Sequence, residues 1–285
     1  MSYEHYIGTI DDESVLAECG PMRLVIRAWN GGQPEIKLTR QAAEVSISYL
    51  ERIARCQSLL SRPIPEIEDL PEDELALRMI TSANAIGDED LTPMAAVAGT
   101  IADAAADWLV GQNMDRVIVD NGGDIALRLK AGETATVGIR PRIDNMQVSH
   151  VLHLDGSQST WGVATSGVGG RSLTRGIASA VTVVAATASA ADAAATAIGN
   201  ACFVEDCGII QLPAESLDPN TDLAGLSVTT KVGELLPEKV AMAIKSARQK
   251  AELLSQRNII FGAFMALQNG FAISDGLKPY ISPAI

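Results

Sequence analysis

The sequence predicts a globular protein of mixed β-strands and α-helices, and three observations support this class. Of 285 residues, 47% are hydrophobic and only 4% are aromatic, which is typical of a core built from small side chains. Several short segments alternate apolar and polar residues, as strands do. Other segments are rich in alanine and carry apolar residues at helical spacing. At this length we expect residues 1–285 to form one large domain or two interlocked ones.

The first half of the chain contains most of the predicted strands. Alternation over residues 22–29, followed by an Asn-Gly-Gly turn, predicts a hairpin whose second strand covers 35–38. The same half has a predicted helix, an acidic loop with three prolines, and three short strands. These elements cover 41–56, 61–74, 116–119, 125–129 and 134–140. Thr92 is predicted to cap a helix that begins at Pro93.

The second half opens with a predicted strand over residues 149–154, which places His150 and His153 on opposite faces, so we expect them to be structural residues. Residues 176–204 are apolar except for Asp192, but their Ala, Thr, Ser and Gly content favours a buried strand and helix over a membrane span. The strand is predicted at 180–185, Ser189 caps the helix, another helix covers 237–256, and a hairpin over 259–274 turns at Asn269-Gly270.

The charge balance argues against two classes of partner. Lys and Arg number 22 against 35 Asp and Glu, which gives a formal net charge of -13. Binding to nucleic acid or to an anionic membrane depends on Lys and Arg, so we expect neither. An anionic small molecule would have to be held by a local pocket of amides or cationic side chains.

Cysteine usage and the amino-terminal sequence indicate a cytoplasmic protein. Cys19, Cys56, Cys202 and Cys207 are too scattered for a disulfide framework and form no CxxC pair. We interpret Cys202 and Cys207 as small core residues. The first residues are acidic and lack the apolar segment of a signal peptide. The alanine-rich helices further suggest a homo-oligomer.

The first candidate binding segment is DNGGDI, at residues 120–125. Gly122 and Gly123 at the end of a buried strand would allow a tight turn and the close approach of a ligand, and Asp124 would place a carboxylate there. The same letters also occur in ordinary turns, and this alternative stays open at the level of the sequence.

The second candidate is the glycine-rich segment TSGVGGRS. Main-chain amides in such a loop can form an anion-binding nest, and the neighbouring arginine and hydroxyl groups add donors. The P-loop spacing is absent, and a surface loop is the alternative. The residues predicted to bind a ligand here are Thr165, Ser166, Gly167, Gly169, Gly170, Arg171 and Ser172.

The third candidate is the pair Asp192 and Thr196. Four residues apart on a helix, they share one face and can offer a carboxylate and a hydroxyl to one hard cation such as Mg²⁺. An acid in so apolar a helix is costly to bury unless it is paired. The alternative is that Asp192 lies in the first helical turn, where the helix dipole favours it.

Five segments, taken in order, resemble the ApbE-like superfamily, and most closely its branch called uncharacterised protein family 0280. They are PMAAVAG (93–99), DNGGDI (120–125), ATSGVGGRSLTRG (164–176), AVTVVA (180–185) and ADAAATAIGN (191–200). The resemblance spans about 110 of the 285 residues. It implies an α+β fold of two interlocked, duplicated sheet-and-helix halves, divided near residues 110–150, with a ligand cleft between them.

The resemblance also implies ligands. ApbE proteins transfer FMN from FAD to a threonine or serine of a target protein, and an Asp and a Thr of an ADxxxT segment bind magnesium. Those residues correspond to Asp192 and Thr196, with a main-chain carbonyl from Ala95 to Ala98 completing the protein ligands.

Several positions depart from the ApbE pattern. Where ApbE enzymes usually carry Lys-Gly, this chain has Ala98-Gly99, and the usual His-x-x-x-Pro-x-x-Gly segment after TSG is replaced by GVGGRSLTRG. Within the closer branch, Thr92 replaces a common Gly, Arg171 a common His, and Ser179 a common acid. These departures favour a divergent subgroup with its own ligand.

The sequence therefore predicts a cytoplasmic enzyme that binds a phosphate- or carboxylate-bearing cofactor or metabolite related to a pterin or a flavin (FAD or FMN). By family association it would act in tetrahydromethanopterin-dependent one-carbon metabolism, including cofactor biosynthesis, or in homocysteine formation from sulfide. One alternative is an FAD-dependent FMN transferase. The other is a non-catalytic binding or assembly subunit.

Overall fold

A ten-stranded antiparallel sheet is the centre of the fold in a computed structural model, which describes residues 4–142, 145 and 147–284. Residues 1–3, 143, 144, 146 and 285 of the predicted domain lie outside that description. The strands are β1 (His5–Asp11), β2 (Ser14–Cys19), β3 (Met22–Asn30), β4 (Gln33–Pro34), β5 (Arg116–Asn121), β6 (Asp124–Leu129), β9 (Thr160–Ser166), β10 (Ala180–Ala185), β13 (Gly262–Leu267) and β14 (Gly270–Ile273). Their order is β1-β2-β3-β5-β6-β9-β10-β13-β14, with β4 beside β3.

Six α-helices accompany the sheet in the described residues. They are α1 (Ile36–Arg55), α2 (Gln57–Leu60), α3 (Glu74–Ile86), α4 (Val97–Gly111), α5 (Ala188–Ala201) and α6 (Pro237–Gln256). Helix α1 packs on β2 and β3, α4 on β5 and β6, α5 on β9 and β10, and α6 on β13 and β14. The helices therefore cover one face of the sheet, which we call the helix face.

The chain contains the same arrangement of four strands and two helices twice. Strands β2, β3, β5 and β6 with helices α1 and α4 have the same order along the chain and across the sheet as β9, β10, β13 and β14 with α5 and α6. The pairing of Ile125 with Val163 joins the two halves into one sheet. The predicted α+β class is confirmed.

The far face of the sheet, opposite the helices, is covered by a small second sheet. Its strands are β7 (Thr134–Ile139), β8 (His150–Asp155) and β15 (Ile281–Pro283), and β7 and β8 lie between the two repeats in sequence. Leu127, Trp161 and Phe264 from the large sheet pack there against Leu152 and Leu154. A separate antiparallel pair is formed by β11 (Ile209–Pro213) and β12 (Ser227–Val232).

Small residues let the helices of the two halves approach each other closely. A side chain at Gly99 of α4 would place its Cβ 2.2 Å from the carbonyl oxygen of Ala188 in α5. Among the described residues, the stretch Pro93–Gly111 is long and apolar enough for a membrane span, but it is mostly buried. It contacts the sheet on one side and neighbouring helices on others, as a core helix does.

Several predicted boundaries agree with the structure. Strand β10 and helix α6 have the predicted ends, and residues 176–204 contain the predicted strand and helix. The strand predicted at 35–38 is wrong, since the segment that returns after the turn pairs with β3 only at Gln33 and Pro34, and α1 begins at Ile36. The hairpin turn predicted at Asn269-Gly270 lies one residue earlier, because Leu267 pairs with Gly270.

Of the two predicted helix caps, one is confirmed in position and the other is wrong. Thr92 is the N-cap residue of the 3-10 turn Pro93–Ala96, which leads directly into α4, but its hydroxyl donates to the carboxylate of Asp222 and makes no capping hydrogen bond. Thr187, not Ser189, caps α5, because its hydroxyl accepts from the Ala190 N–H at 3.2 Å.

Candidate functional site

A cleft of about 930 Å³ opens where the β5–β6 hairpin, the loop after β9, the first turn of α4 and the middle of α5 meet. All residues predicted to bind a ligand or a metal line this cleft: Gly122, Gly123, Asp124, Thr165, Ser166, Gly167, Gly169, Gly170, Arg171, Ser172, Asp192 and Thr196. The fold thus brings together three segments whose residues are separated by up to 74 positions in the sequence, from 122 to 196. Their role as ligands stays a prediction.

The β5–β6 hairpin forms a tight turn at the cleft. Gly122 and Gly123 have φ angles of +68° and +110°, which residues other than glycine adopt only with strain. The Gly123 N–H donates to Asp120 Oδ1 at 2.7 Å, which closes the turn. The turn leaves Asp124, the first residue of β6, half-buried in the cleft.

Arg171 bridges the two halves of the molecule across this turn. Its guanidinium donates to the carbonyl oxygens of Pro21 and Asn121, both at 3.1 Å. A Cβ at Gly122 would lie 1.8 Å from the Arg171 guanidinium, so the glycine provides the space it occupies. Arg171 is exposed, and its predicted anion-binding side chain also acts as a structural link.

The glycine-rich loop after β9 is fixed by internal hydrogen bonds. Val168 N–H donates to Ala178 O at 2.9 Å, and Gly170 N–H donates to Gly167 O at 3.2 Å. Gly167 is buried, and a Cβ there would lie 2.6 Å from the carbonyl oxygen of Ser179. Two main-chain amides of the expected anion-binding nest therefore donate to carbonyl oxygens of the chain itself. The shape of the loop also depends on the close main-chain contact at Gly167.

Asp192 and Thr196 lie one turn apart on α5 and both face the cleft. Asp192 is the fifth residue of α5, so the alternative that places it in the first turn is wrong. Instead, its Oδ2 accepts a hydrogen bond at 3.0 Å from the N–H of Gly99, in the first turn of α4. The carboxylate of one half is therefore held by the helix start of the other half.

Asp103 makes the reciprocal contact and was not predicted from the sequence. Its two carboxylate oxygens accept from the N–H groups of Ala188 and Ser189 in the first turn of α5, at 3.0 and 2.9 Å. The side chain is fully buried and also pairs with Arg128 at 2.9 Å. Nothing local in the sequence of α4 distinguishes Asp103 from a surface acid.

Asn121 is a second residue that sequence reasoning missed. Its amide Nδ2 donates to the carbonyl oxygen of Ala98 at 3.1 Å, and its Oδ1 accepts from the N–H of Arg23 at 3.3 Å. The side chain is buried at the end of β5. It fixes the Ala98 carbonyl, one of those that the family resemblance proposes as a metal ligand.

The electrostatics of the cleft are dominated by recessed carboxylates. Burial raises the pKa of Asp192 to about 7, and the charge of Asp103 adds to that rise, while the N–H groups of Gly99 and Ala98 oppose it. The pKa of Asp124 is also held well above its usual range, first by burial and then by the charges of Asp192 and Asp120. Two carboxylates that disfavour each other's charge would gain from a cation between or beside them.

The donor set fits Mg²⁺ better than a transition metal. Asp192 and Thr196 offer only oxygen atoms, and the described residues contain no group of three or more His, Cys, Asp or Glu that could hold a metal. Mg²⁺ is commonly bound by one or two carboxylates, with substrate phosphates and water completing its coordination. Binding of Mg²⁺ by Asp192 and Thr196 stays a prediction.

The histidines and cysteines that the sequence analysis considered lie outside this cleft. His150 packs against Phe264 and Phe271, and His153 is exposed on the other face of β8, as predicted. Burial raises the pKa of Cys202 to about 12, consistent with a core residue. Cys207 is exposed, so its prediction as a core residue is wrong.

The sequence matches a known protein family over nearly its whole length. The model of the family described as "AbpE bacteria" matches residues 8–274. A UPF0280 protein of Methanopyrus kandleri is 40% identical over 171 residues, which cover 58% of this chain and 65% of that protein. A UPF0280 protein of Methanosarcina acetivorans is 39% identical over 138 residues, 46% of this chain and 51% of that protein. The chain therefore spans about half to two thirds of these relatives.

Solved structures share the fold at low sequence identity. The ApbE protein from Thermotoga maritima aligns over 98% of this chain and 99% of its own, with a TM-score of 0.50 and 14% identity. The flavinyl transferase ApbE from Pseudomonas stutzeri aligns over 99% and 98%, with a TM-score of 0.48 and 13% identity. At such identity the Thermotoga structure establishes the fold alone.

Proposed function

Since the chain belongs to the family described as "AbpE bacteria", we propose that it binds a flavin nucleotide with Mg²⁺ in the cleft and acts as an FAD-dependent FMN transferase. One observation carries the proposal. Asp192 and Thr196 of one half open onto the same cleft as the β5–β6 turn and the glycine-rich loop, so a metal and a phosphate group would meet there. A solved protein of the same fold, from Thermotoga maritima, is named an ApbE protein.

The cleft has the size and lining that a nucleotide requires. Its volume of about 930 Å³ lies within the usual range for cofactor sites, roughly 300–1,000 Å³. Val25, Ile125 and Val163 line one wall and offer an apolar surface to a ring system. Arg171 and the hydroxyls of Ser166 and Ser172 also line the cleft and can donate to phosphate oxygens.

Each residue has a distinct task in this proposal. Asp192 and Thr196 would hold the cation, and Asp124 would orient the ligand. When bound, Mg²⁺ would neutralise phosphate charge and act as a Lewis acid. Gly122 and Gly123 would let the phosphate chain pass close to the main chain. Transfer of FMN from FAD to a hydroxyl acceptor would release AMP.

The test is covalent labelling of an acceptor. Incubation with FAD, Mg²⁺ and a flavoprotein acceptor should leave flavin fluorescence on the acceptor after denaturing electrophoresis. Asp192→Asn should abolish the label, whereas His153→Ala, on the exposed face of β8, should not. Absence of label with the wild-type protein would exclude FMN transfer to that acceptor.

A second candidate, binding of another phosphate- or carboxylate-bearing metabolite, is favoured by one observation. Ala98 lines the cleft where ApbE enzymes usually carry a lysine, and the described cleft lining contains no histidine. Thermal stabilisation by FAD, FMN, pterins and nucleotides, each with and without Mg²⁺, would identify the ligand. No response to any of them, with unchanged pathway activity in Asp124→Ala and Asp192→Ala, would instead favour a non-catalytic subunit. Roles in tetrahydromethanopterin-dependent metabolism and in homocysteine formation stay predictions.

A further inference from the structure

We propose that the cleft contains a second anion subsite, formed by Arg23, Arg140 and Arg142, which binds a carboxylate or phosphate group distinct from the one near Asp192. All three arginines line the cleft. The inference goes beyond flavin transfer, because it concerns a different wall of the cleft and does not require Mg²⁺.

Strand geometry separates this subsite from the proposed metal site. Successive side chains of a strand point to opposite faces of a sheet. Leu24 and Ile26 of β3 belong to the core under the helices, so Arg23 and Val25 point to the far face. Ala126 of β6 also belongs to that core, so Asp124 points to the helix face.

The cleft connects the two faces over the end of the β5–β6 hairpin. Asp192 and Thr196 reach it from α5 on the helix face. Arg140 directly follows β7 of the small sheet, and Val137 and Ile139 of that strand line the cleft as well. Arg23 and Arg140 therefore lie on the far-face side of the cleft, whereas Asp192 and Thr196 reach the cleft from the helix face.

The charge composition of the cleft is the reverse of that of the chain. Its described lining residues include four arginines, Arg23, Arg140, Arg142 and Arg171, and three aspartates, Asp120, Asp124 and Asp192, whereas the whole chain has 22 basic and 35 acidic residues. The cations are all arginine, whose planar guanidinium binds carboxylate and phosphate groups in a bidentate manner. In a strongly acidic protein, such a cluster lowers the electrostatic barrier to an anion at one place.

Arg23 is held at its main chain and is able to move at its tip. Its N–H donates to the buried Asn121, which fixes the backbone of β3 beside the hairpin. Its guanidinium pairs with Glu18 at 3.0 Å, but the two side chains are 56% and 47% exposed. An exposed pair of this kind contributes little, so the guanidinium can turn to a ligand at small cost.

The cleft lining between the arginine subsite and Asp192 indicates the class of ligand. Val25, Ile125, Val137 and Val163 give this stretch of the cleft an apolar wall. The subsite would accept the distal carboxylate or phosphate of an elongated ligand whose other anionic group lies near Asp192. A separate small anionic co-substrate offers the same chemistry and is the other source.

Citrate binding without Mg²⁺, measured by isothermal titration calorimetry, tests the subsite. We expect Arg140→Gln and Arg142→Gln each to weaken citrate binding about tenfold or more, with Arg23→Gln also weakening it, because each removes a charge-assisted contact. Arg140→Lys should retain part of the affinity. Arg55→Gln, at an exposed position of α1 outside the cleft, should bind citrate like the wild type.

Three results would overturn the inference: no citrate binding by the wild type, equal binding by the cleft variants and Arg55→Gln, or a loss confined to Arg171→Gln, which would place the anion at the turn. Unfolding midpoints of all variants must match the wild type, and a variant that fails this check is replaced by its lysine counterpart.

Two further arms separate this inference from the proposed function and identify the source of the anion. Asp192→Asn should lose FMN transfer but keep the wild-type affinity for citrate, so the two proposals can fail independently. Competition between citrate and FAD with Mg²⁺ would indicate one ligand that fills both ends. Simultaneous binding of both would indicate a separate anionic co-substrate.

Discussion

Asp103 and Asp192 lie on adjacent helices, and each carboxylate accepts hydrogen bonds from the first turn of the helix that carries the other. Asp192 accepts from Gly99 at 3.0 Å, and Asp103 accepts from Ala188 at 3.0 Å and from Ser189 at 2.9 Å. Asp103 lies four residues after Gly99, whose N–H donates to Asp192. In the same way, Asp192 lies four residues after Ala188, whose N–H donates to Asp103. This exchange fixes α4 against α5, and it places the proposed metal ligand by contacts from both halves.

Removal of Asp103 should destabilise the fold strongly. Asp103→Ala leaves Arg128, whose side chain is 7% exposed, without its buried partner and leaves two N–H groups of α5 unsatisfied. We expect a loss of about 3–5 kcal/mol in the free energy of unfolding. Asp107→Ala is the matched control, since Asp107 also pairs with Arg128 but is itself 45% exposed, and it should cost less than Asp103→Ala, about 1–2 kcal/mol, for the Nε–H of Arg128 that it leaves unpaired. Urea denaturation of both variants is the measurement, and equal losses would contradict this interpretation.

The contact between α4 and α5 at Gly99 should not tolerate a methyl group. Gly99→Ala would place a Cβ 2.2 Å from a main-chain oxygen, and we expect it to destabilise the protein by roughly 1–3 kcal/mol as an overpacked site. Gly111→Ala, at the other end of the same helix, meets nothing within 4 Å. It should stabilise the protein by up to about 1 kcal/mol through helix propensity. Thermal unfolding of the two variants should therefore shift in opposite directions.

The metal-free protein should lose stability as the pH rises between about 4 and 7. The pKa of Asp192 is about 7 in the folded protein against 3.8 for an unperturbed aspartate. In this window the folded state keeps a proton that the unfolded state releases, so the free energy of unfolding falls, by at most about 1.4 kcal/mol per unit of pKa difference. Above pH 7 this contribution is constant. Asp192→Asn should reduce the dependence of the free energy of unfolding on pH. An identical pH profile for the wild type and the variant would contradict the assignment of the raised pKa to Asp192.

Mg²⁺ should stabilise the wild-type protein in the presence of a bound nucleotide, and more at pH 8 than at pH 6, because binding requires the ionised carboxylate of Asp192. Thr196→Ser keeps the hydroxyl and should keep the effect, whereas Thr196→Val, of nearly the same shape, should reduce it. The observable is the shift of the unfolding midpoint on adding Mg²⁺ with FAD. An equal shift in the serine and valine variants would remove Thr196 from the proposed ligands.

The cleft could be predicted in part from the sequence because its segments carry local signals. Two adjacent glycines mark the β5–β6 turn, and the four-residue spacing of Asp192 and Thr196 places both on one face of a helix. The order of these segments in the chain resembled a known family, and that resemblance, rather than periodicity, predicted that they meet. The roles of Asp103, Arg128 and Asn121 could not be predicted, because each depends on a hydrogen-bond partner at least 23 residues away in the sequence.

The sequence by itself determined the α+β composition, the ends of β10 and α6, and the residues of the tight β5–β6 turn. These properties depend on side-chain size, on periodicity and on the chemistry of single residues, all of which are written locally. Only the tertiary structure decided where α5 begins, which helix donates a hydrogen bond to the Asp192 carboxylate, and which arginines line the cleft. Such features depend on contacts between distant segments, whose free energies are set by burial and geometry and leave no pattern along the chain.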